Sequence, residues 1–327
     1  MTALSIAEMD ALYNRVKDVY SLEDWEYMKP MVQKIHILKK EKNAIILAHN
    51  YMTPDIYHCV SDIVGDSLAM AIEGQKTNAD IIVVAGVHFM AETSKILSPE
   101  KKILIPDPKA GCSLASSITG DDVRGLKKKY PNLPVITYVN TTADVKAETD
   151  ICCTSGNVEN IVRNLGRDEI ILIPDKYLAE NVEKSTGVKC HTWDKGSCEV
   201  HELFTPEEMN DLRTNNPDVE IIAHPECPKE VVDKADFTGS TAGMINYVLK
   251  NKPKKVALIT ECSMSHNIAK EVPETEFVGM CRMCPHMKLI TLENIVKCLE
   301  NETEEVMLSD EIIEKARGAV ERMIERS

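Results

Sequence analysis

The sequence predicts an α/β protein made of three homologous αβα units, each with a small parallel sheet, arranged about a pseudo-threefold axis. Two observations carry that expectation. Short apolar runs of strand length alternate with helix-like segments, and four kinds of landmark return in the same order at intervals of 86 to 89 residues.

The runs are AIILAH (44–49), IIVVAG (81–86), PVITYV (134–139), EIILIP (169–174), EIIAH (220–224) and VALIT (256–260). Each is apolar nearly throughout, the pattern of a strand buried on both faces. Alternation with helices then implies parallel sheets covered on both sides.

The first landmark is the strand end. Aligning IILAHNY, VITYVNT and IIAHPEC puts His49, Tyr138 and His224 at equivalent places, 89 and 86 residues apart. An Asp follows, then after four residues a hydroxyl residue that opens a helix: Asp62 with Ser67, Asp150 with Ser155, Asp236 with Thr241. The last landmark is a cysteine, Cys112, Cys198 or Cys284, at intervals of 86 and 86. These define units over 30–115, 116–200 and 201–286, between an N-terminal helical arm (1–29) and a C-terminal helical tail (287–327). No Gly/Ser-rich linker separates them, so tight packing is expected.

With 327 residues the chain exceeds the usual size of one core. A net charge of -14, from 38 basic and 52 acidic residues, disfavours a general role on nucleic acid or an anionic membrane. The start is polar and helix-like, and no run approaches the roughly 18 apolar residues of a membrane span. A cytoplasmic location is expected. Eleven cysteines in that setting are reduced thiols, either buried as small apolar groups or used as metal ligands.

Ligands of parallel α/β sheets bind beyond the carboxyl ends of the strands, where all the recurring residues lie. Three thiolates can hold three corners of a cubane cluster and leave one iron open. Burial of the three cysteines and a Cys₃ zinc site with an open water position are the competing readings. Cys281, in CRMC, is read as a spectator in preference to a redox partner, and Cys59, Cys152, Cys153, Cys190, Cys227, Cys262 and Cys298 as buried. Ser67, Ser155 and Thr241 are either ordinary helix caps or, together, an anion site at helix N-termini. Glu226 is either a solvated loop residue or a general acid or base whose pKa a closed site would raise. Tyr51 and Asn140 stand just past the first and second strands, within reach of substrate oxygens.

The segments HNY, GDSL, FMAETSKIL, PDPKAGCSLA, YVNTTADVKAETDICCTSGN, GSCEVH, HPECP, ADFTGST and CPHMKLITLE resemble the quinolinate synthase family from about residue 44 to 300. The resemblance implies three α/β domains around a 4Fe-4S cluster on Cys112, Cys198 and Cys284. It implies condensation of iminosuccinate with dihydroxyacetone phosphate to quinolinate for NAD biosynthesis, with the cluster a Lewis acid for dehydration. By the same resemblance His49, Ser67, Tyr138, Asn140, Ser155, His224, Glu226 and Thr241 bind substrates, while Glu226, Tyr51 and Tyr138 move protons. An aspartate oxidase or dehydrogenase would supply the iminosuccinate. The chain departs from the family pattern at PDKYLAEN (174–181) and in carrying two cysteines before Pro285 instead of three. A non-catalytic iron-sulfur carrier or sensor and a zinc-dependent hydrolase are the rival functions.

Overall fold

Each of the six apolar runs forms a strand in the computed structural model, which describes residues 3–326. The first sheet comprises β1 (Ala44–His49), β2 (Ile63–Gly65), β3 (Ile81–Ala85) and β4 (Lys102–Leu104). The second comprises β5 (Val135–Tyr138), β6 (Ile151–Cys153), β7 (Glu169–Ile173) and β8 (Lys189–His191). The third comprises β9 (Glu220–Ala223), β10 (Phe237–Thr238), β11 (Lys255–Ile259) and β12 (Glu276–Phe277).

Strand order is the same in all three: β2-β1-β3-β4, β6-β5-β7-β8 and β10-β9-β11-β12, with every pairing parallel. The six runs seen in the sequence are the central pairs. The strands that escaped notice are the six edges, only two or three residues long, too short to show any periodicity. Central strands are apolar because helices cover both faces, and Ile46, Leu47, Ile82, Val83, Ile136, Ile171, Ile221 and Val256 are buried accordingly.

The recurring aspartates have one structural task. Asp62 accepts the backbone N–H of Ile46 at 2.8 Å and returns its own N–H to the Ile46 carbonyl at 3.0 Å. Asp150 does the same with Val135 (2.8 and 3.1 Å), and Asp236 with Ile221 (2.8 and 2.7 Å). A carboxylate here satisfies a buried strand N–H and fixes the edge strand that follows it.

The chain forms two compact units. One contains Met1–Gly111, Ser263–Lys270 and Cys284–Met307, and so holds the first sheet; the other contains Cys112–Cys262, Glu271–Met283 and Leu308–Ser327, and holds the other two. In the first unit the helices Ile6–Val16 and Leu22–Glu41 each begin with a capping box, Ser5 with Glu8 and Ser21 with Asp24. Trp25, Met28, Val32 and Ile35 recur at helical spacing on the buried face of the second. In the second unit separate apolar clusters form around Val135, Ile171 and Ile173 and around Ile221, Ala257 and Ile259. Among the described residues no helix is long and apolar enough to cross a membrane.

Asp150→Ala leaves the buried Val135 N–H unpaired, so it is expected to cost about 1–3 kcal/mol. Equilibrium denaturant unfolding checks this. Asp150→Asn, which keeps an acceptor oxygen, should recover most of the loss.

Candidate active site

The third sheet delivers the best-defined constellation of the second unit. Past β9 the chain turns tightly through His224, Pro225, Glu226 and Cys227, closed by Cys227 N–H donating to the His224 carbonyl at 3.0 Å. Inside the turn the Glu226 N–H donates to His224 Nδ1 at 3.3 Å. With Nδ1 taken by that N–H, the other ring nitrogen, Nε2, faces Ser155 Oγ at 3.3 Å.

Glu226 is only 3% exposed. Its Oε2 lies 2.7 Å from His201 Nδ1, its Oε1 is 3.4 Å from Asn140 Nδ2, and the Tyr138 hydroxyl bonds to the same carboxylate. The His201 and His224 rings stack with centroids 4.5 Å apart, and His201 Nε2 is 2.9 Å from Thr260 Oγ1. Tyr138, Asn140, His224 and Glu226, expected from sequence, thus meet in one network with Ser155.

The expectation that enclosure raises the Glu226 pKa is corrected. Burial does oppose its charge, but the His224 and His201 rings and the hydrogen bonds from His201 and Tyr138 outweigh that and hold the carboxyl below the ordinary range. The carboxyl held high is Asp175, through burial and then the charge of Glu226. Asp175 caps the helix Lys176–Thr186, its Oδ1 accepting the N–H of Tyr177 at 2.9 Å and of Leu178 at 3.0 Å. Its buried Oδ2 has no hydrogen-bond partner among the described residues. The two buried carboxyls are thus pushed in opposite directions, Glu226 down and Asp175 up.

Two of the three register cysteines belong to this unit. Ser113 Oγ donates to the Ser197 carbonyl (3.0 Å) and accepts the Glu199 N–H (3.1 Å), tying the segment after Cys112 to both neighbours of Cys198. Burial, then the charges of Glu226 and Cys112, push the Cys198 thiol well up. Cys198 Sγ is 3.2 Å from His201 Nδ1, and ligand atoms of Cys198, His201 and Glu226 all lie within 4.8 Å of one another. Gly196 fixes this loop: a Cβ there would stand 1.8 Å from the Pro174 carbonyl oxygen, so no other residue fits without moving the backbone.

The first unit repeats the turn. Past β1, Met52 N–H donates to the His49 carbonyl (2.9 Å) and Tyr51 N–H to His49 Nδ1 (3.2 Å), with the two rings edge to face at 4.7 Å. Lys288 Nζ donates to the Tyr51 carbonyl and to Ser263 Oγ, each at 2.7 Å, and its own N–H donates to the Cys284 carbonyl at 3.3 Å. Cys284 is half-buried.

None of the three hydroxyl residues is itself a helix cap. Asp66 caps the helix Ser67–Lys76, Asn157 stands at the cap of Val158–Leu165, and Ser240 caps Thr241–Asn251. Ser67 and Thr241 occupy the first helical position, and Ser155 lies two residues before its cap.

Three cysteine expectations change. Cys281 follows the partner reading instead of the preferred spectator one, and Cys262 is not simply a buried thiol: they form a disulfide, with Cα atoms 4.9 Å apart and the Cys262 N–H donating to the Arg282 carbonyl at 3.1 Å. Backbone pairing brings the two segments together, which no local spacing in the sequence reveals. Cys190 is half-buried, since it lies on the edge strand β8. Sequence reasoning also missed His201, Thr260, Asp175 and Lys288. For His201 a signal existed, because it follows Cys198 by three residues in GSCEVH.

A buried carboxylate joined to imidazoles, phenol and thiols beyond the ends of parallel strands is the apparatus of an α/β enzyme. Comparison makes this specific: the chain belongs to the quinolinate synthetase A family, whose model, NadA, matches residues 33–325. It is 57% identical over 323 residues to the quinolinate synthase of Caulobacter vibrioides (strain NA1000 / CB15N), spanning 98% of this chain and 88% of that protein. Identity to the quinolinate synthase of Sinorhizobium fredii is 58% over 313 residues, spanning 96% of this chain and 87% of that one. Quinolinate synthase 2 of Mesorhizobium japonicum is 55% identical over 313 residues, spanning 96% of both.

Gly196→Ala is expected to shift the Cys198 loop. A thiol reagent applied to the metal-free protein should then label Cys198 several-fold faster than in the unsubstituted chain, while buried Cys152 keeps its rate. Equal Cys198 rates in the two proteins would contradict the close-approach argument.

Proposed function

We propose that this enzyme condenses iminosuccinate with dihydroxyacetone phosphate, giving quinolinate, phosphate and two waters, as a cytoplasmic step of NAD biosynthesis. The observation that carries the reading is the name shared by relatives more than half identical over nearly the whole chain. An aspartate oxidase or dehydrogenase would supply the unstable imine.

Cys112, Cys198 and Cys284 are the residues that would hold a 4Fe-4S cluster. The donor chemistry of the second unit fits. Cys112 and Cys198 adjoin through Ser113, and a thiol pushed up by burial and like charge, as Cys198 is, ionises readily only beside a cation such as iron. In the first unit a Cβ added to Gly111, the residue before Cys112, would lie 3.7 Å from His286, two residues past Cys284. When bound, the cluster supplies a Lewis-acidic iron for dehydration, because three protein thiolates leave one cubane corner open.

The protein's own groups supply binding and proton transfer. His49 and His224, each accepting a backbone N–H at Nδ1, are set to donate from Nε2 to substrate carboxylates. Ser67 and Thr241 in first helical turns, and Ser155 just before one, stand where backbone N–H groups and the helix dipole favour carboxylate or phosphate. Glu226, held as a carboxylate with Oε2 tied to His201, takes a substrate proton at Oε1. Tyr138, bonded to that carboxylate, and Tyr51, against His49, pass protons during isomerisation and dehydration. Burial of His49, Tyr138, His224 and Glu226 excludes bulk water from these transfers.

Anaerobically purified protein should be brown with about four irons per chain, and should form quinolinate from the two substrates. Glu226→Gln should lower kcat by about 10²–10⁴-fold, the range for a lost general base. Full turnover by that variant would remove the assignment. A colourless zinc protein would favour the hydrolase reading, and iron without quinolinate formation the carrier reading.

A further inference from the structure

The turns carrying Tyr51 and Glu226 share a support that neither the fold nor the proposed chemistry requires by itself. In the second unit Asn181, on the helix Lys176–Thr186, donates through Nδ2 to the carbonyls of Pro225 (2.9 Å) and Cys227 (3.1 Å). These carbonyls stand on either side of Glu226. In the first unit Asn267, on the helix Ser263–Ala269, donates through Nδ2 to the carbonyls of Asn50 (3.0 Å) and Met52 (2.8 Å), on either side of Tyr51. The two asparagines are 86 residues apart, the interval of the register cysteines.

Both carboxamides use both N–H bonds on one turn and leave Oδ1 buried with no partner among the described residues. An unpaired buried acceptor is destabilising, so each amide is tolerated for what its donors hold. Together with the Nδ1 bond inside the turn, the clamp fixes both flanking carbonyls and the N–H of the residue between them. Rotation of either peptide would swing the intervening side chain away. The third equivalent position is Thr93, whose hydroxyl donates to Phe89 in its own helix at 2.8 Å. The turn at Tyr138 is held differently, by the buried Lys146 ammonium on the Thr141 carbonyl.

We infer that Asn181 and Asn267 are positioning residues, each a two-donor clamp that orients the proton-handling residue of its turn, Glu226 and Tyr51 respectively. The inference rests on the roles proposed above for those two residues. A cleft of about 310 Å³ borders Asn181, Pro225 and Ser155, so water can reach the turn once the clamp is lost.

The test uses Asn181→Ala and Asn181→Thr, the latter placing the residue native to repeat one at this position so that a folded variant is secured. Both are assayed in the iron-loaded enzyme with and without Glu226→Gln. The clamp predicts at least a tenfold loss of kcat with KM within about twofold. It also predicts little further loss when Glu226→Gln is already present, since both changes act through one group. Amide hydrogen exchange should quicken across 224–227 and stay unchanged in β9 and β11. A kcat within twofold of the parent, an equal loss in both backgrounds, or unaltered exchange in the turn overturns the clamp. Full turnover by Glu226→Gln alone would instead show the role of Glu226 to be at fault, and the purpose of the clamp falls with it.

Discussion

Glu226 carries its charge where water does not reach, and the second unit is arranged around meeting that cost. A buried carboxylate left alone would take up a proton; here two imidazoles, a phenol and a carboxamide are spent to keep it ionised. The neighbouring Asp175 shows the opposite tendency, a carboxyl whose pKa burial and then the charge of Glu226 push up. Two acids in one enclosure thus meet environments that drive their pKa values apart.

The scaffold suits this task because its sheets are short. Two central strands, closed by a repeat aspartate onto a brief edge strand, end at a turn whose backbone is hydrogen-bonded inward to a histidine and outward to an asparagine. Each such repeat is small, but hydrogen bonds hold its carboxyl-end turn from two sides. Repetition of the turn at His49 and His224 explains why chemistry-bearing residues recur in the sequence at the period of the fold.

Much of this was legible in advance. Central strands announced themselves by continuous Ile and Val, and the aspartates and strand-end histidines by their interval. What stayed hidden has physical reasons. Edge strands of two or three residues carry no pattern, and the bond of Cys262 to Cys281 depends on the pairing of distant backbone segments. His201 and Asn181 act on residues remote in sequence. Enclosure alone argues for a raised Glu226 pKa, whereas His224 in its own turn and His201 from a separate loop reverse it.

We propose that the repeat register selects three cysteines from eleven as ligands of one cluster. Measuring iron and sulfide per chain in anaerobically reconstituted Cys112→Ala, Cys198→Ala, Cys284→Ala and, as control, Cys152→Ala tests it directly. The account predicts that each of the first three loses most of its iron while the control keeps the full complement. Retention of full iron by any of the first three, with the others depleted or not, would contradict it.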